Sequence, residues 1–211
     1  MNVQEQYVAF MTIVRKEIKR YLRIWTQTLL PSAITMSLYF VIFGTLIGSR
    51  IGEMGGFTYM EFVVPGLIMM AIVTNSYSNV VSSFFGAKFS GSVEELLVSP
   101  VSNVVILMGY VVGGVSRGLL VAVVVTLVSL FFTDLTIHSY FIVVVVVLMT
   151  STLFALAGFI NAVYANSFDD ISIIPTFVLT PLIYLGGVFY SMDLLPEFWA
   201  NVSKLNPLVY V

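Results

Sequence analysis

Cysteine is absent from this 211-residue chain, and histidine occurs only once, as His138. The lack of cysteine excludes disulfide frameworks, thiolate nucleophiles and sulfur-ligated metal sites. His138 falls in a short loop between apolar runs, so neither a histidine-based metal cluster nor a Ser-His-Asp arrangement is expected around it. We therefore expect no catalytic residue, no metal site and no enzymatic activity in this chain.

Charge is also scarce. Charged residues make up 9% of the chain and hydrophobic residues 59%, whereas soluble domains are about 25% charged. With a mean hydropathy of +1.02, such a chain cannot cover a surface that faces water. The phosphate-binding pattern G-x-x-x-x-G-K-[ST] is missing as well. The composition predicts an integral membrane protein, and if ATP drives it, another subunit binds the nucleotide.

Five apolar runs approach the roughly 20 residues that a helix needs to cross about 30 Å of hydrocarbon. Because lipid permits only structures that satisfy their own backbone hydrogen bonds, even the valine-rich run 143–147 is expected to be helical. We predict an all-α membrane protein with about five transmembrane helices, at Trp25–Gly48, Phe62–Phe85, Val104–Phe132, Tyr140–Val163 and Ile171–Phe189.

An amphipathic helix is predicted ahead of the first run, over residues 5–25. Basic residues occupy one side, and apolar residues recur on the other at the spacing of a helical face, which is typical of a helix lying among lipid headgroups. An ordinary soluble helix is the alternative. The predicted apolar face consists of Tyr7, Phe10, Met11, Val14, Ile18, Tyr21, Leu22 and Trp25.

The distribution of basic residues predicts a cytoplasmic N-terminus. With that orientation, five basic residues of the leading helix and Lys88 lie inside, whereas only Arg50 and Lys204 lie outside. Residues 86–103 and 164–170 then face the cytoplasm, and residues 49–61, 133–139 and 190–206 face outward.

Polar residues within the apolar runs are candidates for function. Asn75, Asn79 and Ser82 share one face of the second run, where they either line a conduit or hydrogen-bond to other helices. Arg117 is a charge deep within the third run, which either contacts an anionic substrate group or forms a structural hydrogen bond. Two G-x-x-x-G patterns, at 109–113 and 114–118, permit close helix approach.

The loop between the second and third runs predicts a short helix that docks on a partner. Ser92 and Glu95 fit a capping box that starts this helix, and Pro100 ends it. Because Leu96, Leu97 and Val98 have no core of their own to enter, a groove on a partner protein would cover them. Resting on the membrane surface is the alternative.

These segments resemble the permease subunits of ABC-2 type transporters, a family of polysaccharide, lipid and drug exporters. The basic amphipathic helix resembles the family's connecting helix. The segment between the second and third runs resembles its coupling helix, with Glu94, Glu95, Leu96, Leu97, Val98, Ser99 and Pro100. The C-terminal part resembles the family's signature through residues 181–190, Leu195-Pro196 and Leu205-Asn206-Pro207-Leu208.

The resemblance implies one membrane domain over residues 1–211, with a connecting helix at 1–24 and the membrane part at 25–211. It implies a partner ATPase that binds ATP and contacts residues 94–100, a second permease copy, most simply a homodimer, and a bacterial inner-membrane location. Lipids surround such a protein, and no nucleic-acid partner is expected. It also implies a substrate pathway, for which the candidate residues are Asn75, Asn79, Ser82, Thr180 and Tyr184.

The family has six membrane helices, and the sixth, which Pro207 could open, is expected to be missing from this chain, as it would be in a chain truncated at its C-terminus. The predicted function is the membrane-spanning subunit of an ATP-driven exporter. A secondary transporter or channel that does not use ATP is the alternative, although internal repeats and intramembrane acids typical of that class are missing. A membrane scaffold without transport activity is a third hypothesis.

Overall fold

A computed structural model describes residues 2–54, 56–135, 138–191 and 195–210, with the backbone alone at residue 45. Within these ranges the fold is helical apart from a hairpin of two-residue antiparallel strands, in which Glu53 pairs with Thr58. In chain order the elements are α1 (Val3–Arg23), α2 (Trp25–Ile51), β1 (Glu53–Met54), β2 (Phe57–Thr58), α3 (Tyr59–Phe89), α4 (Ser92–Val98), α5 (Asn103–Ser129), α6 (Tyr140–Tyr164), α7 (Asp170–Tyr184) and α8 (Glu197–Lys204). A 3-10 turn at Pro207–Tyr210 follows.

Four helices of the described chain are long and apolar enough to cross a membrane, namely α2, α3, α5 and α6. This confirms the predicted all-α integral membrane fold. The fifth predicted span is wrong in its extent. Helix α7 has 15 residues and rises about 22 Å, which is less than the hydrocarbon thickness of about 30 Å.

The shorter extent of α7 has a backbone cause. The apolar run continues to Phe189, but the backbone leaves the helical conformation at Leu185, the C-cap, with a ψ of 0°, and Gly187 follows with a φ of 79°, which glycine adopts without strain. Hydropathy alone could not detect this stop, because Val188 and Phe189 are as apolar as the helix itself. The carbonyl of Leu182, in the last turn of α7, instead accepts a hydrogen bond from the Asn206 side chain at 2.5 Å.

Helix α3 lies at the centre of the bundle and packs against α2, α5 and α6. It begins at a capping box, in which the Thr58 hydroxyl accepts from the Glu61 N–H at 3.3 Å and the Glu61 carboxylate accepts from the Thr58 N–H at 2.8 Å. Its 31 residues span about 46 Å, so roughly 16 Å extend beyond the hydrocarbon. Helix α3 therefore makes contacts both within the hydrocarbon and in the interfacial region beyond it.

Four glycines of α5 allow this helix to approach two neighbours. A β-carbon placed on Gly113 would lie 2.5 Å from the Cβ of Glu17, and one on Gly109 would lie 2.8 Å from the Cβ of Ile13. Gly114 and Gly118 face Val80 and Ser76 of α3 in the same way. The predicted G-x-x-x-G approach is therefore present, with one glycine pair against α1 and the other against α3.

Helix α1 lies along the first half of α5 and is not separate from the bundle. Its buried residues are Ile13, Val14, Glu17 and Tyr21. Of the predicted apolar face, Val14 and Tyr21 are buried against the bundle, whereas Tyr7, Leu22 and Trp25 are exposed, and the placement of these exposed residues among lipid headgroups stays a prediction. The contact face is rotated toward Glu17, since α5 offers glycines rather than large side chains at the positions opposite Ile13 and Glu17.

Replacing Gly113 with alanine should destabilise the protein by about 1–3 kcal/mol, because the added methyl group overpacks the contact with Glu17. Gly86 provides a matched control, since it lies within α3 and a β-carbon there meets no described atom within 4 Å. Gly86→Ala should be neutral or stabilising by up to about 1 kcal/mol through helix propensity. SDS-induced unfolding in mixed micelles measures both changes, and equal effects would contradict the packing argument.

Candidate functional site at the basic end of the bundle

Helices α1 and α4 lie at the same end of the bundle, which we call the basic end, together with Lys88 and the loop between α6 and α7. The Gln6 side chain of α1 hydrogen-bonds to backbone groups of Pro100 and Ser102, which follow α4. The Lys88 ammonium group donates to the carbonyls of Val163 and Ala165 at 2.7 and 2.6 Å. These carbonyls lie at the C-terminus of α6, where the helix dipole favours a cation.

The loop that leads to α7 is capped at the basic end. The Asp170 carboxylate accepts from the backbone N–H groups of Asn166 and Ser167, at 2.8 and 3.2 Å, and the Ser167 hydroxyl accepts from the Asp170 N–H at 3.1 Å. The Asn166 hydrogen bond and the Ser167 contacts lower the pKa of Asp170. This cap contributes stability above the ordinary pKa, and the contribution is lost as the pH falls through the lowered value.

A buried carboxylate joins α1 to α3. Glu17 is fully buried, and its Oε1 accepts a hydrogen bond from the Ser83 hydroxyl at 2.7 Å. Its Oε2 lies 3.3 Å from the guanidinium of Arg20. Arg20 in turn donates to both the carbonyl and the side-chain oxygen of Asn79, at 2.9 and 2.8 Å. The carboxylate is therefore paired and hydrogen-bonded, as a buried charge must be.

Arg117 occupies a second polar contact, nearer the middle of the bundle. Its guanidinium donates to the side-chain oxygen of Asn75 at 2.9 Å and, more weakly, to the carbonyl of Thr28 at 3.4 Å. Asn75 also donates to the Ser32 hydroxyl of α2 at 3.1 Å. Arg117 thus forms structural hydrogen bonds between helices within the chain, one of the two roles that its position in the sequence allows.

Three buried polar atoms near these contacts have no hydrogen-bond partner among the described residues. They are the Ser76 hydroxyl, the Asn79 side-chain nitrogen and the Arg117 Nε. Unpaired buried polar groups cost about 1–3 kcal/mol each, and ordered water commonly satisfies them. A polar strip therefore runs between α1, α3 and α5 and retains hydrogen-bonding capacity for water.

Helix α4 presents one side to the bundle and the other to its surroundings. Val93 is buried in the core and Leu96 packs against it, whereas Leu97 is 56% and Val98 86% exposed. The predicted capping box is wrong, because the helix begins at Ser92 and its N-cap is Gly91, with a φ of 77° and no side-chain cap. This left-handed residue lies in the turn between α3 and α4, and Ser92 already lies within the helix.

The five candidate pathway residues fall into two groups. Asn75 and Asn79 are buried and their side chains hydrogen-bond across helices. Ser82, Thr180 and Tyr184 are exposed. Tyr184 stacks on Phe189, with ring centroids 5.4 Å apart, and its hydroxyl lies 3.5 Å from that of Tyr39.

Sequence reasoning missed three residues of this arrangement. The sequence patterns do not single out Glu17, and they identify Lys88 only as a charge on the inner side and Asn206 only as part of the C-terminal signature. A weak signal for Glu17 exists, since it is an acidic residue among basic ones and lies one turn before Arg20. Lys88 and Asn206 act on carbonyls more than 20 residues away in the chain, which no local pattern reveals.

Removing the Glu17 carboxylate should destabilise the protein, because Ser83 and Arg20 lose their shared buried partner. We expect Glu17→Ala to cost about 2–4 kcal/mol and Glu17→Gln less, since the amide still accepts from Ser83. Glu197→Ala, at an exposed carboxylate, is the matched control and should cost less than about 0.5 kcal/mol. A double-mutant cycle with Ser83→Ala measures the pair directly, and additive effects would refute it.

Comparison with known proteins identifies the family. Residues 8–211 match the family described as "ABC-2 type transporter". The chain belongs to this family. It is 61% identical over 205 residues to "Inner membrane transport permease YadH" of Escherichia coli (strain K12), an alignment that covers 97% of this chain and 80% of that protein.

More distant relatives have a different name. "Nodulation protein J" of Sinorhizobium fredii (strain NBRC 101917 / NGR234) is 23% identical over 175 residues, which cover 82% of this chain and 66% of that protein. The protein of the same name from Neorhizobium galegae is 20% identical over 202 residues, with 95% and 77% covered.

The predicted family, function class and location are therefore confirmed. This family member is a membrane-spanning permease subunit of an ABC transporter in the bacterial inner membrane. Membership in the family implies an ABC ATPase as a partner in general. The alternative of a secondary transporter or channel has no support in these relationships.

Proposed function

We propose that this permease subunit and a second copy of it enclose the substrate pathway of an exporter, which a separate ATPase drives through α4. The proposal is carried by the exposure of Leu97 and Val98 on a short helix at the basic end. Exposed apolar side chains on a helix that faces water favour contact with a partner. We expect a groove on the ATPase to cover these two side chains. The proposed contact segment is Glu94, Glu95, Leu96, Leu97, Val98, Ser99 and Pro100.

The orientation proposed for the chain follows from its charges. Three exposed basic residues of α1, Arg15, Lys19 and Arg23, are spaced one turn apart. Among the described residues the ion pair of α1 joins Arg20 to Glu17, so these three cations are available to anionic lipid headgroups. Each contributes about 1 kcal/mol near such a surface. The basic end therefore faces the cytoplasm, where an ATP-hydrolysing subunit can reach it.

Chemistry on ATP belongs to the partner subunit in this proposal. The chain itself has no phosphate-binding loop in its sequence, and no three metal-ligating side chains cluster in the part that the structure describes. ATP binding would close the ATPase dimer and displace α4. The permease helices would then pass from an inward-open to an outward-open state, and the direction of export is assigned by family analogy.

Within the membrane we propose that Ser82, Thr180 and Tyr184 face the pathway, because they are exposed polar or aromatic side chains on α3 and α7. Asn75 and Asn79 then support α3 behind the pathway through their hydrogen bonds to Arg117 and Arg20. Exposed apolar residues of α2 and α7, such as Leu38 and Phe177, would meet either lipid or the second copy.

The coupling role of α4 is tested by placing a charge on its exposed side. We expect Leu97→Asp to weaken binding of the ATPase subunit at least tenfold, because a carboxylate would have to be desolvated in an apolar groove. Leu205→Asp is the matched control, since Leu205 is 86% exposed at the opposite end of the bundle. Binding to nanodisc-reconstituted permease is measured by biolayer interferometry, and equal affinities for both variants would sink the proposal.

The pathway assignment is tested by thiol labelling, for which the cysteine-free sequence is well suited. A charged, membrane-impermeant methanethiosulfonate reagent should modify Ser82→Cys, Thr180→Cys and Tyr184→Cys in the assembled transporter, because a pathway admits water. Asn75→Cys should resist modification, since Asn75 is buried within the chain. Side chains that face lipid would not react, so unreactive thiols at all three exposed positions would disprove the assignment.

A further inference from the structure

The amide of Gln6 joins the start of α1 to the segment between α4 and α5. Its nitrogen donates to the carbonyl of Pro100 at 3.2 Å, and its oxygen accepts from the N–H of Ser102 at 3.0 Å. These two backbone groups are separated by one residue, so a single side chain holds both. Glutamine is suited to this task because its amide offers a donor and an acceptor on one planar group.

Both backbone groups are otherwise poorly supplied with partners. Ser102 is the N-cap of α5, so its own N–H has no acceptor within that helix. Pro100 lies in the extended turn that follows α4, beyond the reach of the intrahelical ladder. Since helix ends leave backbone donors and acceptors unpaired, Gln6 completes the junction of α4 and α5 from a third helix.

Helix α1, which carries Gln6, is itself held in place by other hydrogen bonds. Its first turn is closed by a capping box between Asn2 and Glu5, so Gln6 lies in a well-formed helix. Eleven residues further, about 16 Å along the axis, Glu17 and Arg20 attach α1 to Ser83 and Asn79 of α3. A displacement of the junction between α4 and α5 is therefore transmitted to α1, which is also bound to the central helix α3.

We infer that Gln6 is a positioning residue, which fixes α4 relative to α1 so that the exposed side of α4 is presented to the ATPase in one orientation. This inference rests on the proposed function of α4. Loss of the amide leaves α4 attached to the bundle through Val93 and Leu96, but frees the turn at its C-terminus. Helix α4 then adopts several orientations, of which one binds the ATPase. The apparent affinity of the permease for the ATPase falls in proportion to the fraction of molecules in that orientation.

Gln6→Leu removes both hydrogen bonds at similar size, and Gln6→Glu keeps the acceptor for Ser102 but loses the donor to Pro100. Gln4→Leu is the matched control, because Gln4 is exposed on the same turn and makes no side-chain hydrogen bond among the described residues. Spin labels on Val8→Cys and Val98→Cys, both exposed, report the distance between α1 and α4 in the permease alone, reconstituted in nanodiscs.

We expect Gln6→Leu to broaden this distance distribution and, in unlabelled permease, to weaken ATPase binding about tenfold, equivalent to roughly 1.4 kcal/mol. Gln6→Glu should be intermediate and Gln4→Leu unchanged. An unaltered distance distribution in Gln6→Leu would overturn the inference. A broadened distribution with unaltered ATPase binding would also overturn it if Leu97→Asp still weakens ATPase binding. If Leu97→Asp binds normally as well, the proposed function of α4 is what fails.

Discussion

The close approach of α5 to its neighbours organises the basic end of this protein. Glycines on two sides of α5 bring α1 and α3 to the same helix, one along Gly109 and Gly113 and the other along Gly114 and Gly118. Where backbones meet this closely, little water remains between them, and polar side chains must find partners on the adjoining helix. The hydrogen bonds of Glu17 and Arg20 to Ser83 and Asn79 are the consequence.

That contact gives α1 a role beyond resting at the membrane surface. A helix attached to α3 through a buried carboxylate, and to the α4–α5 junction through an amide, belongs to the same mechanical unit as both. An ATPase that binds α4, as proposed, would therefore act on three connected elements, α1, α4 and α3. A bound partner shifts a conformational equilibrium only through contacts that differ between the states.

Charge is distributed unevenly along the bundle, and the geometry explains how the membrane tolerates it. Helix α3 exceeds the hydrocarbon thickness, and the polar strip lies along its half nearer the basic end, where Asn79 and Ser83 occur. Glu17 is neutralised locally by Arg20. Arg117 has no carboxylate partner in the described residues and instead uses amide and carbonyl oxygens, which are adequate acceptors for a guanidinium.

The sequence by itself determined the class of the protein. Scarcity of charge and runs of about 20 apolar residues require spanning helices, because lipid offers no other way to satisfy the backbone. It also determined where most helices lie, and the residues of α1, α4 and the C-terminal signature were sufficient to indicate the family. Hydropathy measures only the free energy of transfer into lipid, however. It could therefore not detect that α7 ends at Tyr184 or which face of α1 packs against α5.

Only the tertiary structure decided which side chains meet. The orientation of α1 depends on small residues in α5, about 96 positions later, and a helical-face pattern read from α1 alone favours its lipid-facing side. The partners of Gln6, Lys88 and Asn206 are backbone groups, and since every residue has a carbonyl and every residue except proline an N–H, such partners leave no trace in composition or periodicity. Such contacts are specified by the relative positions of helices, and local sequence carries no measure of those positions.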